Sequence, residues 1–154
     1  MISIALSKQA NQLGFTIIEL VMVIVILGIL AITAMPRFDT SIYHSAAFHD
    51  RTVATLRYAQ KTATSHRRLV CVTFTASTIT LQIAKTNPAA TCDENLNLAG
   101  SSTNILQSGD TVNAIFNPVP ADFNFLPDGT GADRTLAISE QTAISLAGAT
   151  GYVQ

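Results

Sequence analysis

A continuous apolar segment with a single carboxylate constrains this chain more than any other feature. It runs for 21 residues from Phe15 to Met35, and Glu19 is its only formally charged side chain. A helix of this length rises about 30 Å, enough to cross the hydrocarbon core of a bilayer. A charge in such a segment costs at least ~2.5 kcal/mol unless it finds a partner or an interface. We therefore expect a membrane helix in which Glu19 lies near a membrane surface or meets a counter-ion.

The charge of the remaining chain is unevenly distributed. About 120 residues follow the apolar segment, which is enough for one small folded domain. Residues 37–85 carry seven bases and two acids, whereas residues 86–154 carry one base and seven acids. The net charge of −1 by itself indicates no class of partner. The asymmetry either biases how like subunits pack or is ordinary surface variation.

Two cysteines, Cys71 and Cys92, are candidates for a disulfide. If the part after the apolar segment is exported, an oxidising compartment without competing thiols favours this bond. It closes a loop of about 20 residues and contributes about 3 kcal/mol. The three histidines, His44, His49 and His66, have no zinc-ligand spacing relative to the cysteines. The sequence therefore predicts solvated histidines and neither a metal site nor a cofactor.

The N-terminal residues do not fit a conventional secretory signal. The candidate cleavage point, Gly14, precedes the apolar segment, and no small-residue cleavage site of the usual kind follows Met35. A simple N-terminal anchor fits the length. Lys8 favours a cytoplasmic N-terminus, but Arg37 on the other flank offsets it.

The run LGFTIIELVMVI, residues 13–24, resembles the class III prepilin signal of type IV pilins and type II secretion pseudopilins. The resemblance implies that residues 1–14 are a leader, which a membrane-embedded prepilin peptidase removes after Gly14 before it N-methylates Phe15. It also implies that Glu19 is the subunit-assembly residue. Residues 15–36 would be a transmembrane helix that later forms the filament core, with a helix kink at Pro36.

Electrostatics gives a physical reason for this arrangement. Cleavage after Gly14 creates an ammonium group on Phe15, about one helical turn from Glu19. In a bundle of low dielectric constant, that ammonium and the Glu19 carboxylate of a neighbour can pair only when the subunits are in register. The costly carboxylate would then set the register of assembly, and an uncleaved chain would assemble poorly.

The segment after Pro36 has the pattern of an amphipathic helix. Residues 37–65 contain no Gly or Pro, and apolar or half-apolar residues recur every three or four positions. The predicted buried row is Phe38, Ile42, Ala46, His49, Val53, Leu56, Ala59 and Ala63. Arg57 and Lys61 are predicted on a solvated face. We expect one long helix from Phe15 to about Ser65, bent near Pro36, with residues 37–66 as the half that packs on a head.

Residues 67–154 are predicted to form a β-rich head. Alternating, β-branched runs at 69–74 and 78–83 indicate a hairpin, and residues 86–102 read as a loop tethered by Cys92. Further short strands are predicted at 111–116, 122–126, 134–139 and 143–146, separated by turn residues. A long helix followed by short strands predicts an α+β fold in which the helix packs against an antiparallel sheet.

Loose patterns in the head also resemble the H-type, tip-associated class of minor pilins and pseudopilins. They are RYAQK at 57–61, FNF at 123–125, Gly129, and GYV at 151–153. The resemblance implies a structural subunit of a type IV pilus or a type II secretion filament. Its partners would be the prepilin peptidase, other pilin or pseudopilin subunits and the inner membrane, which it would cross once with its head in the periplasm before entering the filament.

The sequence bears on three other kinds of chemistry. Asp128 and Asp133 flank glycines, and some pseudopilins bind calcium in a C-terminal loop; without an EF-hand pattern, a plain turn is predicted. Because DNA uptake is one role of minor pilins, DNA binding is the alternative function, but the scattered bases and the acidic distal half make a nucleic-acid partner the weaker hypothesis. No nucleophile–base pair, phosphate-binding loop or metal triad indicates an enzyme.

Overall fold

The computed structural model describes residues 14–33, 40–109 and 114–154, and it divides into two units, residues 1–38 and 39–154. In the first unit, helix α1 spans Ile17–Thr33. Its 17 residues rise about 26 Å. Among the described residues, no helix has the combined length and apolar character that a membrane crossing requires. The predicted kink at Pro36 and most of the predicted leader lie outside the described residues.

The second unit begins with helix α2, Thr40–His66, which ends in a regular C-terminal motif. Arg67 has a left-handed backbone with φ of 52°, and its N–H donates to the carbonyl of Thr64 at 3.3 Å. The N–H of Arg68 donates to the carbonyl of Ala63 at 3.1 Å. These two bonds form a Schellman motif, which satisfies the last carbonyls of the helix. The predicted end near Ser65 is therefore confirmed to within one residue.

Phe38 and Ile42 of the predicted row lie outside the residues whose side chains the structure describes, and the remaining positions agree with the buried face of α2 only in its C-terminal half. Leu56, Ala59 and Ala63 are fully buried, as predicted. In the N-terminal half, the fully buried positions are Ser45, Phe48 and Thr52. The predicted positions Ala46, His49 and Val53 are only half-buried. The reason is Phe48: its ring is the largest apolar side chain available here, and burying it rotates the inner face toward the small hydroxyl residues one turn away on either side.

Within the described residues, eight strands form two antiparallel sheets. The first sheet contains β1 (Val70–Phe74), β2 (Thr78–Ile83), β3 (Glu94–Asn95), β4 (Ile105–Gln107) and β5 (Phe123–Phe125). Its order is β3-β2-β1-β5, and β4 also pairs with β2. The second sheet contains β6 (Arg134–Leu136), β7 (Ile144–Ala147) and β8 (Tyr152–Val153), in chain order.

The predicted hairpin is confirmed: β1 and β2 pair antiparallel, with Val72 opposite Leu81. Strands β5, β6 and β7 confirm three of the other predicted runs with shorter or shifted bounds. The predicted strand at 111–116 is wrong for residues 114–116, where the only pairing is an isolated bridge between Phe116 and Ile138. Strands β3, β4 and β8 were not predicted, since each has only two or three residues and shows no alternation of its own.

A chain of phenylalanine rings connects α2 with the first sheet. Phe48 of α2 meets Phe116 edge-on at 5.2 Å between centroids, and Phe116 meets Phe74 of β1 at 5.4 Å. Phe74 then stacks on Phe123, which meets Phe125 edge-on at 5.3 Å. Edge-on and offset contacts of this kind add about 0.5–1.5 kcal/mol each beyond area burial. The head is thus α+β, with α2 packed against antiparallel sheet, as the sequence predicts.

Candidate assembly segment and head surfaces

The start of α1 places the predicted site residues at a capped helix end. Gly14, Phe15 and Thr16 are non-helical and exposed, and the helix begins at Ile17. The Glu19 N–H donates to the Thr16 hydroxyl at 3.3 Å, and the Leu20 N–H donates to the Thr16 carbonyl at 3.2 Å. Thr16 is therefore the N-cap and Glu19 the third helical residue. The spacing Thr-x-x-Glu is a capping-box signature that the sequence analysis did not use.

The Glu19 side chain is exposed in the first turn of α1. It makes neither an ion pair nor a hydrogen bond within residues 14–33, 40–109 and 114–154. The positive end of the helix dipole stabilises a carboxylate at this position by about 0.3–1 kcal/mol. The cap therefore fixes the backbone of Glu19 in the first turn of α1.

The rest of α1 presents apolar side chains on every side. From Ile17 to Leu30 its large hydrophobic residues are 42–85% exposed. A helix that is apolar all round is normally covered by lipid or by other helices. The surface of α1 is of this kind.

The predicted disulfide between Cys71 and Cys92 is present, with 6.1 Å between the two Cα atoms. Cys71 lies in β1, and Cys92 lies two residues before β3. Close to Cys92, the Asp93 carboxylate accepts a hydrogen bond from the Lys85 N–H at 2.8 Å. The predicted loop 86–102 is therefore fixed to the first sheet by a covalent bond and a hydrogen bond.

The turn around Asp128 is held by its own carboxylates. The Asp128 carboxylate accepts hydrogen bonds from the Thr130 hydroxyl at 2.7 Å and from the Thr130 N–H at 2.9 Å. These bonds, led by the hydroxyl, lower the pKa of Asp128 below its ordinary value of 3.8. The Asp133 carboxylate accepts a bond from the Gly148 N–H at 2.6 Å. Within the part of the chain that the structure describes, no three His, Cys, Asp or Glu residues come together as a metal site.

The C-terminal strand is attached to α2 by two side chains of the helix. Arg57 is exposed, as predicted, and donates from Nε and Nη2 to the Val153 carbonyl at 3.2 and 3.0 Å. One turn further along, Gln60 donates to the Thr150 carbonyl at 2.7 Å. These contacts join residues 90–96 positions apart, and no local pattern in the sequence could have indicated them.

The histidine prediction needs one correction. His44 and His66 are exposed, as predicted. The side chain of His49 is only 19% exposed, and its Nδ1 lies 3.2 Å from the Asp50 carboxylate. His49 is therefore packed and paired rather than solvated.

The bases of α2 do not act as one surface. Arg57 is bound to the C-terminal strand, while Arg51 and Lys61, ten residues apart, line separate pockets. DNA binding stays a prediction, and no contact among the described residues of the head adds support to it.

Comparison with known proteins places these features in a family context. Residues 9–35 match the family model of the prokaryotic N-terminal methylation motif. No curated protein matches the chain in sequence. Among solved structures, the type IV minor pilin FimU of Pseudomonas aeruginosa is similar in fold, with a TM-score of 0.53 at 16% sequence identity. The match covers 75% of this chain and 90% of FimU. The motif and the fold together confirm the predicted pilin-like α+β architecture.

Proposed function

We propose that this type IV pilin-like protein is a filament subunit of a type IV pilus, cleaved between Gly14 and Phe15, N-methylated on Phe15 and assembled through α1. One observation carries the proposal: the methylation motif at 9–35 includes a capped, exposed helix that is apolar on every side apart from one carboxylate in its first turn. That combination suits a helix made to be buried among identical or similar helices.

Two features of the chain around Gly14 support cleavage there. Phe15 is 81% exposed, and the peptide bond before it lies outside α1. A Cβ atom added at Gly14 would meet nothing within 4 Å, and Gly14 has no left-handed backbone angle. Since the described chain does not itself require glycine here, a requirement for glycine would come from the binding cleft of the processing enzyme.

Cleavage would give Glu19 its partner. The new ammonium on Phe15 would stand about one turn from Glu19, and in a bundle of like helices each ammonium could pair with a neighbour's carboxylate. A pair inside an apolar bundle is favourable only when both charges are matched. Assembly would therefore depend on cleavage, methylation of the amine being compatible with its positive charge.

The membrane would hold the subunit before assembly. The exposed apolar surface of α1 suits lipid as well as other helices, and the disulfide of the head suits an exported, oxidising compartment. We place α1 in the inner membrane and the head in the periplasm until the subunit enters the filament. Its likeness in fold to a minor pilin favours a minor, tip-near subunit over an abundant one. A role as a type II secretion pseudopilin is the related possibility that the resemblance implies.

Mass spectrometry of the N-terminus tests the proposal. The full chain, produced in cells with a prepilin peptidase, should begin at N-methyl-phenylalanine 15. Gly14→Val should leave the leader attached while the thermal unfolding of the head stays unchanged, because the added side chain meets open space. An intact leader in the unsubstituted chain would leave a merely anchored protein and end the proposal.

A further inference from the structure

A groove runs along one flank of α2, between the helix and the segment that leads into β4. Its volume is about 270 Å³. Arg51, Thr55 and Tyr58 line it from the helix, and Leu98, Ile105 and Leu106 line it from the opposite side. Among the described residues that line it, the groove thus combines an aliphatic wall with hydroxyl groups and one cation, and it contains no acidic side chain.

Hydrogen bonds hold both walls in place. The Tyr58 hydroxyl donates to the Asn97 carbonyl at 3.1 Å, which ties the loop to the helix. Within the loop, the Leu98 N–H donates to the Thr103 carbonyl at 2.8 Å, and the Ser101 N–H donates to the Leu98 carbonyl at 3.0 Å. A groove with fixed walls binds a partner at a low cost in conformational entropy.

Two residues that line the groove have exposed side chains that the described residues of the head neither cover nor pair. Ile105 is 47% exposed on the short strand β4. Arg51 is exposed and forms no ion pair in the described ranges, where the neighbouring Asp50 is instead paired with His49. The groove is therefore suited to a segment that carries an aliphatic side chain next to a carboxylate.

The chain itself presents such a segment in the turn at 126–130. Leu126 is 45% exposed, and Asp128 is exposed two residues later. The turn is rigid: the Leu126 N–H donates to the Thr130 carbonyl, the Gly129 N–H donates to the Leu126 carbonyl, and Thr130 holds the Asp128 carboxylate. An apolar and an acidic side chain are thus displayed together on a fixed backbone.

This turn cannot reach the groove of its own head. It lies against Gln60 and Thr64, the side chains nearest to Gly129. At about 100° per residue, these positions lie between about 120° and 160° around α2 from Tyr58. The groove and the turn therefore occupy opposite flanks of one helix, and they can meet only between two molecules.

We propose that the groove receives the turn at 126–130 of a second copy of this chain, with Leu126 against Ile105 and Asp128 facing Arg51. The two surfaces differ, so the contact is heterologous: the groove of one molecule receives the turn of the next. The place of this contact in a pilus rests on the proposed function, whereas the contact itself does not.

Photo-crosslinking in membranes tests the contact. A photoreactive phenylalanine analogue replaces Ile105 in the full chain, and the products are separated by mass and mapped by peptide analysis. The expected product is a homodimer in which residue 105 is joined to the peptide that contains 126–130. The matched control carries the analogue at Val119, which is 48% exposed and outside the groove, and should give at least fivefold less of this product.

Charge exchange supplies the second readout. Arg51→Glu and Asp128→Arg should each lower the yield of the crosslink at least fivefold, and the chain carrying both should regain most of it. Thermal unfolding of each variant checks that the head remains folded. The proposal would be overturned by any of three results: no crosslinked homodimer, a crosslink to a different protein, or a crosslink yield that stays low in the double variant. The proposed function predicts a mature N-terminus at Phe15 whatever the crosslink shows. N-terminal mass spectrometry on the same samples therefore distinguishes failure of the contact from failure of the proposed function.

Discussion

Gly151 lies where the backbone leaves no space for a side chain. Its φ is +66°, and an added Cβ would overlap the carbonyl oxygen of Gly129 and lie 2.6 Å from Nε2 of Gln60. A left-handed backbone costs about 1–2 kcal/mol for alanine, and forced contacts cost about 1–3 kcal/mol more. We therefore expect Gly151→Ala to lower the Tm of the head by roughly 8 °C or more, measured by circular dichroism of the chain in detergent.

Gly100 provides the matched control for this substitution. It has a similar φ of +74°, but a Cβ there would meet nothing within 4 Å. Gly100→Ala should therefore lower the Tm by only about 4 °C, the cost of the backbone alone. Equal losses in the two variants would show that close packing at Gly151 does not matter.

The Thr130 hydroxyl should control the ionisation of Asp128. Because this hydroxyl is the main cause of the lowered pKa of Asp128, Thr130→Val should raise that pKa toward 3.8, and Thr130→Ser should keep it low. Since the pKa is lower in the folded chain, the ionised carboxylate stabilises the fold above about pH 3.8, and this contribution is lost as the pH falls through the folded-state pKa. Carboxyl ¹³C NMR of Asp128 measures the titration. Identical midpoints in the valine and serine variants would contradict the assignment.

At the level of helices and strands, local patterns were sufficient where the structure itself is local. The β1–β2 hairpin follows from alternation over fourteen residues, 70–83, and the end of α2 follows from the change in residue pattern there. The buried face of α2 near Thr52 was not predictable in the same way. By hydropathy alone, Val53 is expected to be buried in preference to Thr52. The burial of the Phe48 ring sets the inward face of the helix and places Thr52 on it.

The functional residues follow the same rule: those in a contiguous motif could be predicted, and those brought together by the tertiary fold could not. Glu19 and Gly14 could be singled out because the motif that contains them is contiguous in sequence. The attachment of β8 to Arg57 and the groove beside Tyr58 could not, because each depends on residues brought together by the tertiary fold. A short strand such as β8 has no pattern of its own; it pairs with β7 and is attached to α2 by a side chain 96 residues earlier.

The attachment of β8 gives a test at this level. Arg57→Ala removes two hydrogen bonds from a cation to the Val153 carbonyl, which we expect to cost about 1.5–3 kcal/mol. Lys61→Ala, four residues on, removes an exposed cation without such a bond and should stay within about 0.5 kcal/mol. Denaturant unfolding measures both. Hydrogen exchange at the Gln154 amide, bonded to Ser145, should accelerate only in the Arg57 variant; equal losses of stability in the two variants would rule out this role for Arg57.

At the scale of the whole molecule, the head and α1 differ in how they bury their apolar side chains. The head is a packed unit with its own core of phenylalanine rings, whereas α1 leaves its apolar surface exposed and has one carboxylate in its first turn. Stability should therefore respond to changes in the head, and assembly should respond to changes at the start of α1. A substitution at Glu19 distinguishes assembly from stability most directly.

Glu19→Gln keeps the size of the side chain and the backbone N–H that Thr16 caps, but removes the charge. We expect normal cleavage after Gly14, an unchanged Tm of the head and at least a tenfold loss of the chain from sheared filaments, because a neutral amide cannot neutralise a neighbour's ammonium in an apolar bundle. Immunoblots of the filament and membrane fractions measure the loss. Asp50→Asn is the control: it removes a carboxylate that is 85% exposed in the head and should leave incorporation intact. If the Glu19 variant enters filaments as well as this control does, charge pairing at the start of α1 does not drive assembly, and the exposed apolar surface of the helix must be sufficient.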